Sequence, residues 1–199
     1  MTNKDKIISG SRQLFTKYGI RSITMDMIAE QLGVSKRTIY ENFTDKDDLL
    51  KCCIEDAIKE QKTVGEEIIK NSENVIDATF KYIKYSINRY KSINPLFLLD
   101  IKKYYPELCE SKIKNNDTQN LSRSIDLLNE GIRDNLFRND INVEIVARLI
   151  SEQFKMLSNQ DIFPEDQFSK IEVFENIVIN FMRGIATEKG LQLIEKYNQ

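Results

Sequence analysis

The sequence predicts an all-α protein of about nine helices, and three observations carry that expectation. Among 199 residues only 7 are Gly and 3 are Pro. Apolar residues recur at three- and four-residue intervals, while alternating β-branched runs bounded by turn clusters are hard to find. A hydrophobic content of 41% is enough to bury a real core, which sets the chain apart from disordered sequences.

The first helix spans about Asn3 to Tyr18, with Ile7, Ser11, Leu14, Phe15 and Tyr18 at helical spacing. It stops at Gly19, which can take a left-handed terminal conformation. A second start follows at Thr24, a good N-cap. Asp26 favours the first turn through the helix dipole, and Ile28, Ala29 and Leu32 form a short apolar stripe that Gly33 ends. Ser35 caps a third helix, Lys36 to about Asn42, too short to be stable alone and therefore held by packing of Val34, Ile39 and Phe43. At ~100° per residue, Lys36, Arg37 and Tyr40 share one arc of this helix, away from Ile39.

A helix, a short turn containing Gly and a second short helix with an outward polar face make a helix-turn-helix, whose second helix fits the DNA major groove. A Lys-Arg-Tyr face in isolation would read as solvated surface. The turn chemistry around this one favours contact with nucleic acid.

Thr44 opens a long fourth helix, with Asp47 completing a Ser/Thr-x-x-Asp/Glu capping pattern. Lys46 in that first turn opposes the helix dipole. Two roles are open to it: a nearly neutral exposed charge, or a phosphate ligand beside free backbone N–H groups. The pattern resets beyond Gly65, and Val75 to about Lys91 is apolar on several faces, as a central helix should be. Asn94-Pro95 and Tyr105-Pro106 mark breaks, giving a short helix near 95–104 and another from about 106, which KNNDTQN at 114–120 would bend or interrupt. Leu121, Ile125, Leu128 and Ile132 continue a stripe to near Asn135.

The last two expected helices lie at roughly 142–158 and 168–187, separated by NQDIFPED. Val146, Leu149, Ile150 and Leu157 line the first; Ile171, Phe174, Val178, Phe181 and Ile185 line the second. Internal core accounts for each stripe, but Ile177 and Met182 widen the last face beyond one monomeric contact and point to self-association.

The net charge of −2 hides an asymmetry: residues 1–46 hold eight bases against five acids, for +3, and the remainder carries −5. A basic module on an acidic body suits a sequence-reading DNA binder. Histidine is absent, which removes the commonest general base and transition-metal ligand. A di-iron helical bundle, which needs Glu-x-x-His ligands, fails on that ground. Phosphate-loop, dinucleotide and nucleophile-elbow motifs are also missing, so no enzyme and no cofactor is expected. Cys52, Cys53 and Cys109 form neither a disulfide framework nor a metal motif and read as buried free thiols. No apolar stretch approaches the ~20 residues of a membrane span, and the N-terminus lacks a signal-peptide core, which predicts a cytoplasmic protein without a membrane partner.

The stretch FTKYGIRSITMDMIAEQLGVSKRTIYENFTDKDDLL, within Ile7–Leu50, resembles the DNA-binding module of the TetR/AcrR family of bacterial transcriptional regulators. Beyond residue 50 the resemblance is architectural. It implies a helix-turn-helix domain at 1–46 and a larger effector-binding and dimerisation domain at 47–199. It further implies a homodimer that binds a palindromic double-stranded DNA operator, most often as a repressor, and is released by a small molecule. Carried over position by position, Lys36, Arg37 and Tyr40 would lie at or beside base edges, and Thr24, Ser35, Thr38, Asn42 and Lys46 would meet phosphates or position the reader. Each assignment is chemically sound, since Arg and Lys donate to guanine O6 and N7 and short hydroxyls donate to backbone oxygens.

Two positions depart from the family's habit: Glu41 stands where an aromatic is frequent, and Asn42 where His is. Glu41 can accept from cytosine N4 or orient Arg37 or another base, and its role is open. The dimer surface would draw on the final two expected helices, through Val146, Leu149, Ile150, Phe174, Val178, Phe181 and Ile185. Tyr82 and Ser86, at i, i+4 in an aromatic-rich stretch, hint at a largely apolar effector pocket, and core packing explains them equally well. A helical protein-interaction adaptor without DNA specificity is the alternative that pattern alone leaves standing.

Overall fold

The computed structural model describes residues 2–156, 162–164 and 166–198; within its helices, the side chains of 109–119, 154, 155 and 170 fall outside the description. Leu157 and the side chain of Cys109 therefore lie outside the described residues. Among the described residues the chain is all-α as expected, with ten helices: α1 Asn3–Tyr18, α2 Met25–Leu32, α3 Lys36–Tyr40, α4 Lys46–Lys70, α5 Val75–Ser92, α6 Pro95–Tyr104, α7 Pro106–Arg133, α8 Val143–Met156, α9 Lys170–Ile185 and α10 Glu188–Tyr197. None of these helices is long and apolar enough, over the described residues, to cross a membrane.

The chain divides into two compact units. The first comprises Met1–Glu67 with Asn88–Lys112, the second Ile68–Ile87 with Ile113–Gln199. In the first, Ile7 and Phe15 of α1, Ile28 of α2, Ile39 of α3 and Leu49 and Leu50 of α4 are fully buried in one cluster. Phe97 and Ile101 of α6, with Tyr105 and Leu108, pack against that cluster. Cys53 is buried there too, and burial pushes its thiol pKa up to about 12. Such a thiol is an inert core group.

Local signals set the first three helices where the sequence places them, but the stop at Gly19 differs in kind. Its φ of 84° with ψ of 160° is an extended, positive-φ geometry accessible to glycine, rather than the left-handed cap expected. Gly33 does take the left-handed cap, with φ 63° and ψ 32°.

Three expectations further along are corrected. The fourth helix starts one residue later than a Thr44 cap implies: Asp45 Oδ1 accepts the Asp48 N–H at 2.8 Å, and the Asp48 carboxylate accepts the Thr44 N–H at 3.0 Å. This reciprocal cap leaves Asp47 to accept the Tyr105 hydroxyl at 2.8 Å. Gly65 does not reset the pattern, because α4 runs through it to Lys70; Gly65 is itself buried, and tertiary packing outweighs a helix penalty of about 1 kcal/mol. Likewise α7 continues without a break through 114–120.

In the second unit, α5 begins with a dense cap. Asn74 Oδ1 accepts the N–H groups of Ile76 and Asp77, each at 3.0 Å, and the buried Asp77 carboxylate accepts the Glu73 N–H at 2.9 Å and the Lys81 ammonium at 2.7 Å. The core of this unit joins Ile76, Leu128, Leu136, Ala147, Met182 and Ile194. Helix α10, which the sequence reading missed, is capped by Thr187, whose oxygen accepts the Gly190 N–H and whose hydroxyl donates to Asn135 O at 2.7 Å. Arg183 of α9 grips Glu195 of α10 with two bonds, Nε to Oε1 at 2.9 Å and Nη2 to Oε2 at 3.2 Å.

Candidate nucleic-acid interface

The reader is built on caps. Thr24 accepts the Met27 N–H at 3.2 Å and starts α2; Ser35 accepts the Thr38 N–H at 3.0 Å and starts α3. The hydroxyls of Ser35 and Thr38 also lie 2.8 Å apart. At the other end of α3, Asn42 Nδ2 donates to Thr38 O at 2.8 Å. Both ends of a five-residue helix are thereby fixed, and Ile39, fully buried, pins its inner side. Four of the five residues assigned to phosphate contact or positioning thus have local hydrogen bonds that set the pose of α2 or α3.

Lys36, Arg37 and Tyr40 are all exposed, as their shared arc requires. Two of them are held by acids. Lys36 Nζ lies 2.6 Å from Asp26 Oδ1 of α2, and the hydrogen bond followed by the charge attraction raises the ammonium pKa above its ordinary value. Arg37 Nε donates to Glu41 Oε1 at 2.9 Å, so in this structure the departure at Glu41 orients Arg37.

Lys46, the fifth, is half-buried, and its ammonium donates to Ile20 O and Ile23 O, both at 3.1 Å. It closes the turn before α2 from the first turn of α4. That bonding resolves the oddity of a cation at a helix N-terminus, because two carbonyl dipoles offset the unfavourable macrodipole.

Sequence reasoning missed two acidic residues of this region. Asp26 was visible as a first-turn acid, yet nothing in the linear pattern pairs it with Lys36. Asp100, on α6, accepts the backbone N–H groups of Ile20 and Arg21, a partnership with no local signal at all.

The remaining predicted sites lie in the second unit. Tyr82 and Ser86 are half-buried on α5, and the Tyr82 and Tyr85 rings sit 6.1 Å apart. Surface depressions occur beside α10 (Glu188, Leu191, Glu195) and at the start of α4 (Thr44, Asp48, Lys51); neither includes Tyr82 or Ser86. Of the residues assigned to self-association, Val146 and Ile185 are buried in the unit's own core. Ile150, Phe174, Val178 and Phe181 are half-buried, and Leu149 is 48% exposed.

Two helices at a tight glycine turn, the second short, capped and outward-facing in Lys, Arg and Tyr, define a helix-turn-helix DNA-binding regulator. Residues 7–53 match the family model for bacterial regulatory proteins of the tetR family. The HTH-type transcriptional regulator YvaF of Bacillus subtilis (strain 168) is 27% identical over 188 residues, covering 92% of this chain and 96% of its own length. The HTH-type transcriptional repressor KstR2 of Mycobacterium tuberculosis is 19% identical over 154 residues, 76% of this chain and 77% of that one. Among solved structures, a TetR transcription regulator from Haloarcula marismortui ATCC 43049 superposes with a TM-score of 0.71 at 15% identity, covering 92% of this chain and 98% of its own. Residues 7–53 are thus similar to the DNA-binding segment of the tetR family of bacterial regulators, and the fold is that of a solved TetR regulator over 92% of the chain.

Proposed function

We propose that the chain is a cytoplasmic, homodimeric transcriptional repressor that binds a palindromic operator and is released by a small, largely apolar effector. Residues 1–46 are the reader and 47–199 the effector-binding and dimerisation region. Lys36, Arg37 and Tyr40 face base edges, while Thr24, Ser35, Thr38, Asn42 and Lys46 meet phosphates or hold the reader in position. The observation that carries this reading is the exposed Lys36, Arg37 and Tyr40 arc on a helix capped at both ends and buried at Ile39. A short helix whose backbone is so fixed is preorganised to present its outward side chains to a rigid partner.

Repression is supported by the likeness to KstR2, which is named a repressor. Dimerisation follows from the need for two readers about 34 Å apart on successive major grooves, since one three-helix module makes few contacts. Tyr82 and Ser86 of α5 are the proposed first contacts of the effector, which would act by changing the population of the DNA-competent spacing.

Selection of duplexes from random DNA, followed by gel shifts at several salt concentrations, tests the reading. The expected product is a palindrome bound by two subunits with a steep salt dependence. Binding that is neither sequence- nor salt-dependent would fit an interaction adaptor instead. Native mass spectrometry of protein from its own host would identify the effector.

A further inference from the structure

We propose that Asp26 and Glu41 are specificity-determining residues of the reader: each keeps one cation of the recognition helix in a local ion pair, releasing it to a base edge more readily than to a phosphate. The inference rests on the DNA-reading function above. Lys36 Nζ is 2.6 Å from Asp26 Oδ1, and Arg37 Nε is 2.9 Å from Glu41 Oε1. The two cations nearest the proposed base edges therefore come with two anions, and this face is neutral although residues 1–46 carry +3.

Non-specific binding draws its strength from cations that displace counterions around phosphates. A cation already paired carries a carboxylate toward the phosphate, and the two anions repel. Base edges differ, because guanine O6 and N7 are uncharged acceptors and cytosine N4 is a donor that a carboxylate can itself accept from. The pairs are also arranged to leave donors over. Arg37 uses Nε toward Glu41, which spares both terminal amino groups for a bidentate bond, and Lys36 commits one of three ammonium donors to Asp26. All four side chains are more than half exposed, so water screens both pairs and they can rearrange on DNA at small cost. Pairing thus penalises phosphate-only binding more than binding at a matching sequence.

The test uses the isosteric variants Asp26→Asn and Glu41→Gln, with a duplex selected from random DNA by the wild type and a scrambled duplex of equal length and composition. Each variant is expected to bind the scrambled duplex about three- to tenfold more tightly, with a salt slope steeper by about one per subunit, and to show a lower ratio of selected to scrambled affinity. In a Lys36→Met background, Asp26→Asn frees no cation and should leave the salt slope on the scrambled duplex unchanged, and likewise Glu41→Gln in Arg37→Met. A purely structural role for Asp26 in the first turn of α2 would instead lower Tm and weaken both duplexes equally. That outcome, or an unchanged scrambled affinity and slope in both variants, overturns the inference while leaving the DNA-reading function intact. A wild type that prefers no selected duplex removes the DNA-reading function and the inference with it.

Discussion

Asp100 Oδ2 accepts the backbone N–H groups of both Ile20 and Arg21, at 2.8 and 2.9 Å, and ties α6 to the turn that leads into the helix-turn-helix. Neighbouring residues reinforce the tie. Arg21 Nη1 donates to the Tyr104 hydroxyl at 2.9 Å, and its guanidinium carbon lies 4.9 Å from the centre of that ring. Asn94, the N-cap of α6, donates its side-chain amide to Lys17 O and its backbone N–H to Thr16 O, both at 2.8 Å. Two of the last carbonyls of α1, Thr16 O and Lys17 O, which a helix end would otherwise leave unpaired, are thus satisfied by the N-cap of α6.

Asp100→Ala should therefore destabilise the protein by about 1.5–3 kcal/mol, because two N–H groups lose a charged acceptor at once. Urea unfolding measures the loss. Operator affinity should fall as well, since the turn that Asp100 holds sets the entry to α2. An unchanged unfolding midpoint would show that water replaces the carboxylate freely.

Lys46→Met keeps most of the apolar stem and removes the ammonium that bonds Ile20 O and Ile23 O. A stability loss of about 1–2 kcal/mol is expected, with equal weakening on operator and scrambled DNA. A salt slope shallower by about one per subunit would record a phosphate contact in addition. No change in Tm would contradict the bonding seen here.

What the sequence made legible was set by short-range chemistry. Thr24, Gly33 and Ser35 fix the bounds of α2 and α3 through groups three to five residues away, so their caps could be read directly. Gly65 looked like a break because intrinsic propensity disfavours glycine by about 1 kcal/mol, which tertiary packing overrides, and the polar run 114–120 looked like one because it carries no apolar stripe. The start of α4 slipped by one because Thr44 and Asp45 are both competent caps, and only the reach of Asp48 back to the Thr44 N–H decides between them. Helix α10 had a readable cap at Thr187 and apolar residues at Leu191, Ile194 and Tyr197, and it was overlooked. Asp26 with Lys36, and Asp100 with Ile20, join residues ten and 80 positions apart, and no periodicity encodes such pairs.

Asp77 predicts an acid-side dependence of stability. Burial alone would raise its pKa, but the Lys81 ammonium and the Glu73 N–H outweigh burial and hold the carboxyl below its ordinary value. A carboxyl depressed in the folded state stabilises fully above its unfolded pKa of about 3.9, and that contribution is lost as pH falls through the folded value. Asp77→Asn should cost about 1–2 kcal/mol at neutral pH and narrow the gap to wild type below pH ~3. Urea titrations at both pH values check this; a constant gap would place the effect outside the ionised carboxylate.

Arg37 is 87% exposed in its side chain, so Arg37→Ala should leave stability within about 0.5 kcal/mol. Its expected cost is about 1–3 kcal/mol at a single base-pair position per half-site, with relaxed preference there. Selection repeated with the variant would show which position. Equal weakening on selected and scrambled duplexes would make Arg37 a phosphate ligand.

Burial separates two variants that test the proposed dimer. Val146 is 8% exposed and belongs to the core of its own unit, whereas Leu149, three residues on along α8, is 48% exposed and Ile145 is 56% exposed. A carboxylate at position 146 has no partner and costs several kcal/mol, so Val146→Glu should unfold the protein at every concentration. A carboxylate at position 149 faces water in the single chain and should be tolerated there. If Leu149 lies in the interface, Leu149→Glu yields a folded monomer by sedimentation, with the helical content of wild type and operator affinity reduced at least a hundredfold, since a paired reader gains its affinity from two linked half-sites. If Leu149→Glu sediments as wild type and binds the operator as wild type, α8 is not the joining surface. Wild-type sedimentation as a monomer at micromolar concentration, with one subunit per operator, would remove the dimer and the half-site mechanism together.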